Sequence, residues 1–281
     1  MTTVLLSLVA ATCYGLSDFA GGYASGRVSP WSVALVAQLF GGSLTTVASF
    51  IMAGEPTTGD LWWSIAAGVA NGLGTAFLYR GLGSGRMGVV APISGVGAIV
   101  LPVLVGLLTG ERPGPLLWAG LVLALPAVWL VSRVPATADH LGPDRPRGGV
   151  LDGILAGLGF GALFAILAEI PASSGLLPLA VNQLVAGVAI VVVAILLGAS
   201  WVPREPAAAI GVVSGAMGMS ATVAFLWATS AGLLSVAAVI TSLYPAVTIM
   251  LAFAFLGEQV HRAQAIGLAL CTASVVLVAA G

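Results

Sequence analysis

Charge is scarce in this sequence. Only 7% of its 281 residues are Asp, Glu, Lys or Arg, against about 25% in soluble domains. Nine basic residues face ten acidic ones, leaving a net charge of −1, so there is no basic tract to hold nucleic acid and no polybasic patch for a membrane surface. Cysteine is scarcer still. Cys13 and Cys271 both lie in apolar segments, where cysteine acts as a small hydrophobe, and their spacing supports neither a disulfide framework nor a metal site. Two histidines are present, His140 in the charged central stretch and His261 at a helix edge. With no Ser/His/Asp or Cys/His constellation around them, an enzyme is not expected. The 38 glycines include G-x-G-x-x-G-like fragments, but inside apolar helices these are small packing positions rather than phosphate loops, and no cofactor is expected. The start, M-T-T-V-L-L, has no basic segment and no cleavage site, which fits a retained first helix better than a signal peptide.

What the chain does have is apolar length. Hydrophobic residues make up 59% and the mean hydropathy is +1.11. Runs of about 20 residues, enough to cross a bilayer, recur from end to end. Breaks at Gly, Pro and charge predict ten helices, near 3–23, 31–53, 61–80, 87–109, 115–132, 150–170, 176–199, 206–228, 234–256 and 262–280. The longest connection, 133–149, holds Pro135, Pro143 and Pro146. It divides the chain into two sets of five, 1–132 and 150–281.

The two sets resemble each other. Ala76-Phe77-Leu78-Tyr79 matches Ala224-Phe225-Leu226-Trp227 at an offset of 148, and Gly110-Glu111 matches Gly257-Glu258 at 147. Gln38-Leu39 matches Gln183-Leu184 at 145, and Tyr14-Gly15 matches Phe160-Gly161 at 146. Because five is odd, the second copy must enter the membrane from the opposite side. The expected fold is therefore an all-α integral membrane protein of ten transmembrane helices in two inverted five-helix repeats, an architecture shared by many secondary transporters.

Against this apolar background Asp18 stands out. An ionised carboxylate in low dielectric costs several kcal/mol or more unless it is paired. It lies about 22 Å along helix 1, nearer the far end than the centre. Two roles are open: a protonatable or cation-attracting group facing a cavity, or a structural acceptor for loosened backbone at Gly21-Gly22 or for a loop arginine. Its repeat equivalent is Phe164, an asymmetry that favours function. Glu111 and Glu258 recur in both halves and are expected to be caps or interfacial anchors. Gln38 and Gln183, with Asn182 adjacent, are expected to join helices by hydrogen bonds.

Further cavity candidates are Asn71 in N-G-L-G-T-A, Tyr14, Ser17, Ser94, Thr241 and Tyr244. Pro245 frees the carbonyl of Thr241, and freed backbone at membrane depth is tolerated where it lines a protected cavity. Pro92 and Pro102 extend the same reasoning to helix 4, so helices 4 and 9 are expected to be interrupted, moving, substrate-lining elements. Tyr79 and Trp227, near helix ends, are expected in an interfacial aromatic belt.

Tyr14-Gly15, the R-M-G-V-V-A-P-I-S start of helix 4, the L-L-S-V-A-A-V-I-T-S-L-Y-P stretch of helix 9 and the Gly-Glu endings at Glu111 and Glu258 together resemble the EamA-like branch of the drug/metabolite transporter superfamily. The resemblance covers essentially the whole chain. It implies an exporter or exchanger of small metabolites, amino acids among them, driven in some members by proton or substrate gradients. The chain departs from the family pattern at Gln38, where arginine is common, and the small polar position after Trp-Gly falls on Ser17 or Asp18.

Eight arginines (27, 80, 86, 133, 145, 147, 204 and 262) fall in one set of connections and only Arg112 in the other. The positive-inside rule then puts both termini outside, whereas the resemblance implies both inside. The expected function is a secondary transporter in the plasma membrane, monomer or homodimer, moving a small organic metabolite outward by alternating access, with protons as a candidate coupling partner. A single acidic group tilts the substrate towards amines. An uncoupled facilitator or exchanger and a non-transporting assembly subunit are the alternatives.

Overall fold

The computed structural model describes residues 1–83, 87–131, 148–256 and 262–280. Within them the chain is helical nearly throughout. The helices are α1 (Thr2–Ser25), α2 (Pro30–Ile51), α3 (Thr58–Gly83), α4 (Met87–Leu108), α5 (Pro115–Val131), α6 (Gly148–Leu167), α7 (Leu177–Leu196), α8 (Gly211–Ser230), α9 (Leu234–Thr241), α10 (Tyr244–Leu256) and α11 (Arg262–Ala280). Short 3-10 turns at Ala172–Ser174 and Pro206–Ile210 lead into α7 and α8.

Local chemistry sets several of these starts. Pro30 opens α2, a position where the missing N–H is no loss. A reciprocal cap opens α3: the Thr57 amide donates to Asp60 Oδ2 at 2.8 Å, and the Asp60 amide donates to Thr57 Oγ1 at 3.2 Å. Ser174 Oγ donates to the same carboxylate at 2.9 Å, tying the 3-10 turn before α7 to the start of α3.

Six helical segments are long and apolar enough to cross a bilayer: Thr2–Ser25, Pro30–Ile51, Thr58–Gly83, Gly149–Leu167, Leu177–Leu196 and Pro206–Ser230. Phe50, Ile51 and Trp62 on these segments, and Leu108 and Phe255 on α4 and α10, are all exposed, as a lipid-facing surface requires. Since lipid is as apolar as leucine, burial of hydrocarbon does not by itself hold such helices together. Close packing and interhelical hydrogen bonds must do so. Phe164 and Phe225 meet at 4.6 Å between ring centroids in the middle of the bundle, and α4 lies against α6 backbone to backbone. A Cβ on Gly97 would fall 2.6 Å from Gly157 Cα, so Gly97 tolerates no side chain there, and a Cβ on Gly157 would be tight against the same backbone at 3.1 Å.

One expectation about the prolines holds and one is corrected. Helix 9 is broken at Ser242–Leu243, between Thr241 and Pro245, giving α9 and α10 in place of one helix. Pro245 is the second residue of α10, where proline costs no hydrogen bond. Helix 4, by contrast, runs unbroken through both Pro92 and Pro102, so it is not interrupted as expected. The side chain of Pro92 lies outside those described, as do Glu258, His140 and His261.

Candidate functional site

The polar side chains of α3 lie on one face by helical spacing: Asn71, Thr75 and Tyr79, at i, i+4 and i+8. Asn71 is the hub of an amide network. Gln38 Nε2, from α2, donates to Asn71 Oδ1 at 3.3 Å and to Thr75 Oγ1 at 3.1 Å. Asn71 Nδ2 donates across to α7, to Asn182 Oδ1 at 2.9 Å and Gln183 Oε1 at 3.2 Å. The two glutamines do join helices, as expected, but both also face an open space.

A second network joins α1 to α8 and α3. Ser17 Oγ donates to the Ser214 carbonyl at 2.9 Å, and Ser214 Oγ donates to the Ser17 carbonyl at 2.7 Å. The Tyr79 hydroxyl closes on Ser214 Oγ. Tyr79 is only 2% exposed; the expectation that it belongs to an interfacial belt is therefore wrong. A neighbouring glycine makes room for it, since a Cβ on Gly21 would stand 2.2 Å from both Tyr79 Cζ and its hydroxyl oxygen. One helical turn towards the N-terminus of α1, the Tyr14 hydroxyl meets Thr222 Oγ1 at 3.0 Å.

Between these networks lies a cavity with an empty volume of ≈ 430 Å³, its open mouth included. Tyr14, Ser17 and Asp18 form its α1 wall, Gln38 comes from α2, and the Asn71–Thr75–Tyr79 face from α3. Phe160 of α6, Gln183 of α7 and the Ser214–Thr222 face of α8 complete it. Four of the expected site residues, Tyr14, Ser17, Asp18 and Asn71, thus come together. Asp18 is partly exposed, and its carboxylate has no hydrogen bond or ion pair among the described residues. The structural alternative is not realised: α1 stays helical through Gly21 and Gly22, and Arg27 lies 3.6 Å over the Tyr23 ring while donating to the Tyr23 carbonyl.

Ser94, Thr241 and Tyr244 do not line this cavity. They form a buried polar seam between α4 and the α9–α10 break, where Ser94 Oγ and the Tyr244 hydroxyl are 3.3 Å apart. Thr241 Oγ1 and Ser242 Oγ are buried there without a partner among the described residues. The walls are α1–α3 and α6–α8 rather than helices 4 and 9, and the Gly97–Gly157 approach seals α4 onto α6. The cavity side chains missed in the sequence include Thr75, Tyr79, Phe160, Ser214 and Thr222. Their helical spacing was visible, but the helices opposite them were not.

Glu111 has the capping role expected of it, on a helix distant in sequence. Its carboxylate accepts the amides of Leu234 at 2.5 Å and Ser235 at 3.2 Å, the free donors at the start of α9.

A polar cavity between apolar helices long enough to cross a bilayer is the architecture of an integral membrane protein. The EamA-like transporter family model matches residues 1–133 and again 147–280. The chain belongs to that family, within the drug/metabolite transporter superfamily, and is an integral multi-pass membrane protein. No curated protein sequence matches it. A protein of known crystal structure superposes with a TM-score of 0.74, covering 98% of this chain and 95% of the other at 16% identity, a likeness of fold alone.

Proposed function

We propose that this protein is a secondary transporter that moves a small organic metabolite, an amino acid or amine, out of the cell across the plasma membrane by alternating access, with Asp18 coupling the movement to protons. The observation that carries this reading is the cavity, with one wall from α1–α3, the other from α6–α8, and an unpartnered carboxylate between them. The order of packing supports two inverted five-helix repeats, 1–132 and 150–281, joined by 133–149. The α1–α8 contact has its counterpart in α6–α3, α2–α8 in α7–α3, and α1 against α9 and α10 in α6 against α4. Counting α9 and α10 as one broken span gives ten spans. Rocking one repeat against the other would open the shared cavity to each side in turn. The arginine distribution supports termini on the outside.

Counterflow in liposomes tests this. Protein reconstituted with unlabelled 2-phenylethylamine or phenylalanine inside should accumulate the labelled compound transiently and saturably, and Asp18→Asn should abolish the overshoot. Overshoot indifferent to an imposed pH gradient identifies an uncoupled facilitator or exchanger. Flux no greater than in empty liposomes for both probes, like that of a non-transporting assembly subunit, contradicts the proposal.

A further inference from the structure

The hydrogen-bond inventory of the cavity wall is one-sided. Every proton on the α3 and α2 polar groups is already placed. Both hydrogens of Gln38 Nε2 go to Asn71 and Thr75, both of Asn71 Nδ2 go to Asn182 and Gln183, and Thr75 Oγ1 donates to Asn71 Oδ1 at 3.2 Å. The hydroxyls follow the same pattern. Ser17 and Ser214 each donate to the other's carbonyl, which leaves Tyr79 to donate to Ser214 Oγ. Thr222 Oγ1 donates to the Gly218 carbonyl at 2.8 Å, which leaves Tyr14 to donate to Thr222. Among the described lining side chains, Gln183 Nε2 is the one donor without an acceptor.

Acceptors are in surplus. Asp18 offers both carboxylate oxygens, and Gln38 Oε1 has no described donor. No basic residue is among the described residues of the wall. The nearest in sequence to it, Arg80, turns away to Asp152 and lies 4.7 Å over the Phe77 ring. Tyr14, Tyr79 and Phe160 supply aromatic rings to the same space, and the faces of such rings attract cations.

We infer that the cavity is built for an organic cation with N–H donors, a primary or secondary amine on an apolar body, and against zwitterions and organic anions. An ammonium group brings the protons the wall lacks and neutralises Asp18. A zwitterion would place its carboxylate beside another carboxylate with a single amide donor to receive it. A site's unpaired polar groups discriminate strongly against ligands that leave them unpaired. This inference rests on the cavity being the substrate site proposed above, and it narrows the substrate to one class.

The test is equilibrium binding to purified wild-type protein in nanodiscs, using three probes that share a phenyl body: 2-phenylethylamine, phenylalanine and 3-phenylpropionate. The amine should bind, with the other two at least about tenfold weaker. In Asp18→Asn, amine affinity should fall about 30-fold or more, as for a buried charge that loses its partner. The head-group series on the wild type decides the matter even if Asp18→Asn does not fold. Phenylalanine or 3-phenylpropionate binding as tightly as the amine, no amine binding, or amine binding unchanged in a folded Asp18→Asn each overturns the inference. Binding requires no flux, so amine selectivity without counterflow would sink the transporter reading and leave this one standing.

Discussion

Asp18 and Asp152 are both carboxylates inside helices that pack in the bundle interior, on α1 and α6, yet their surroundings are opposite. Asp152 is 4% exposed and accepts two hydrogen bonds from the Arg80 guanidinium, one from Nε at 2.8 Å. Asp18 faces the cavity with no partner among the described residues. A paired carboxylate locks α6 to the end of α3, both guanidinium bonds falling on its Oδ1. An unpaired one weakens the empty protein and keeps its oxygens free for whatever enters. Acidic residues in a membrane chain thus differ in role by partner, not by depth.

The largest stability effect is expected on the paired side. Asp152→Asn leaves Arg80 without its counter-ion and should cost roughly 2–3 kcal/mol, less than for a fully buried pair because the Arg80 side chain is 32% exposed. Thermal unfolding in detergent measures it, with ligand affinity unchanged in the fraction that folds. Gly21→Ala attacks the other side. The new Cβ must displace the Tyr79 ring, at about 1–3 kcal/mol for overpacking, and ligand binding should weaken because Tyr79 is cavity wall. Glu111→Gln tests a carboxylate engaged only with backbone, at the start of α9. Its loss should cost about 1 kcal/mol, visible as faster amide exchange at Leu234 and Ser235 with binding unaltered. Smallest is Ser94→Ala in the closed seam, which removes only the 3.3 Å contact to Tyr244 and should shift stability by less than about 1 kcal/mol while leaving ligand affinity unchanged.

The same contrast marks how far the sequence could be read. The apolar helices followed from run length, and the two halves that the family model matches, 1–133 and 147–280, from repeats such as Gln38 with Gln183. Both depend on local composition. Asp18 was recognisable as a lone acid in an apolar helix, Tyr14 and Ser17 as polar groups near it in sequence, and Asn71 by its glycine neighbours. The closing of α4 onto α6 depends on Gly97 meeting Gly157, a contact between residues 60 positions apart, so Ser94, Thr241 and Tyr244 looked as available as Asn71 and are not. Tyr79 was misplaced for the matching reason: proximity to a helix end suggests an interface, while the gap at Gly21 that draws it inward belongs to another helix.

The most direct test of Asp18 as an unpartnered, ligand-facing carboxyl group is the unfolding midpoint of ligand-free Asp18→Asn against wild type. Removing a carboxylate that nothing compensates should leave the midpoint equal or raise it. A fall comparable to that of Asp152→Asn would show that Asp18 holds the bundle together, and would contradict the account.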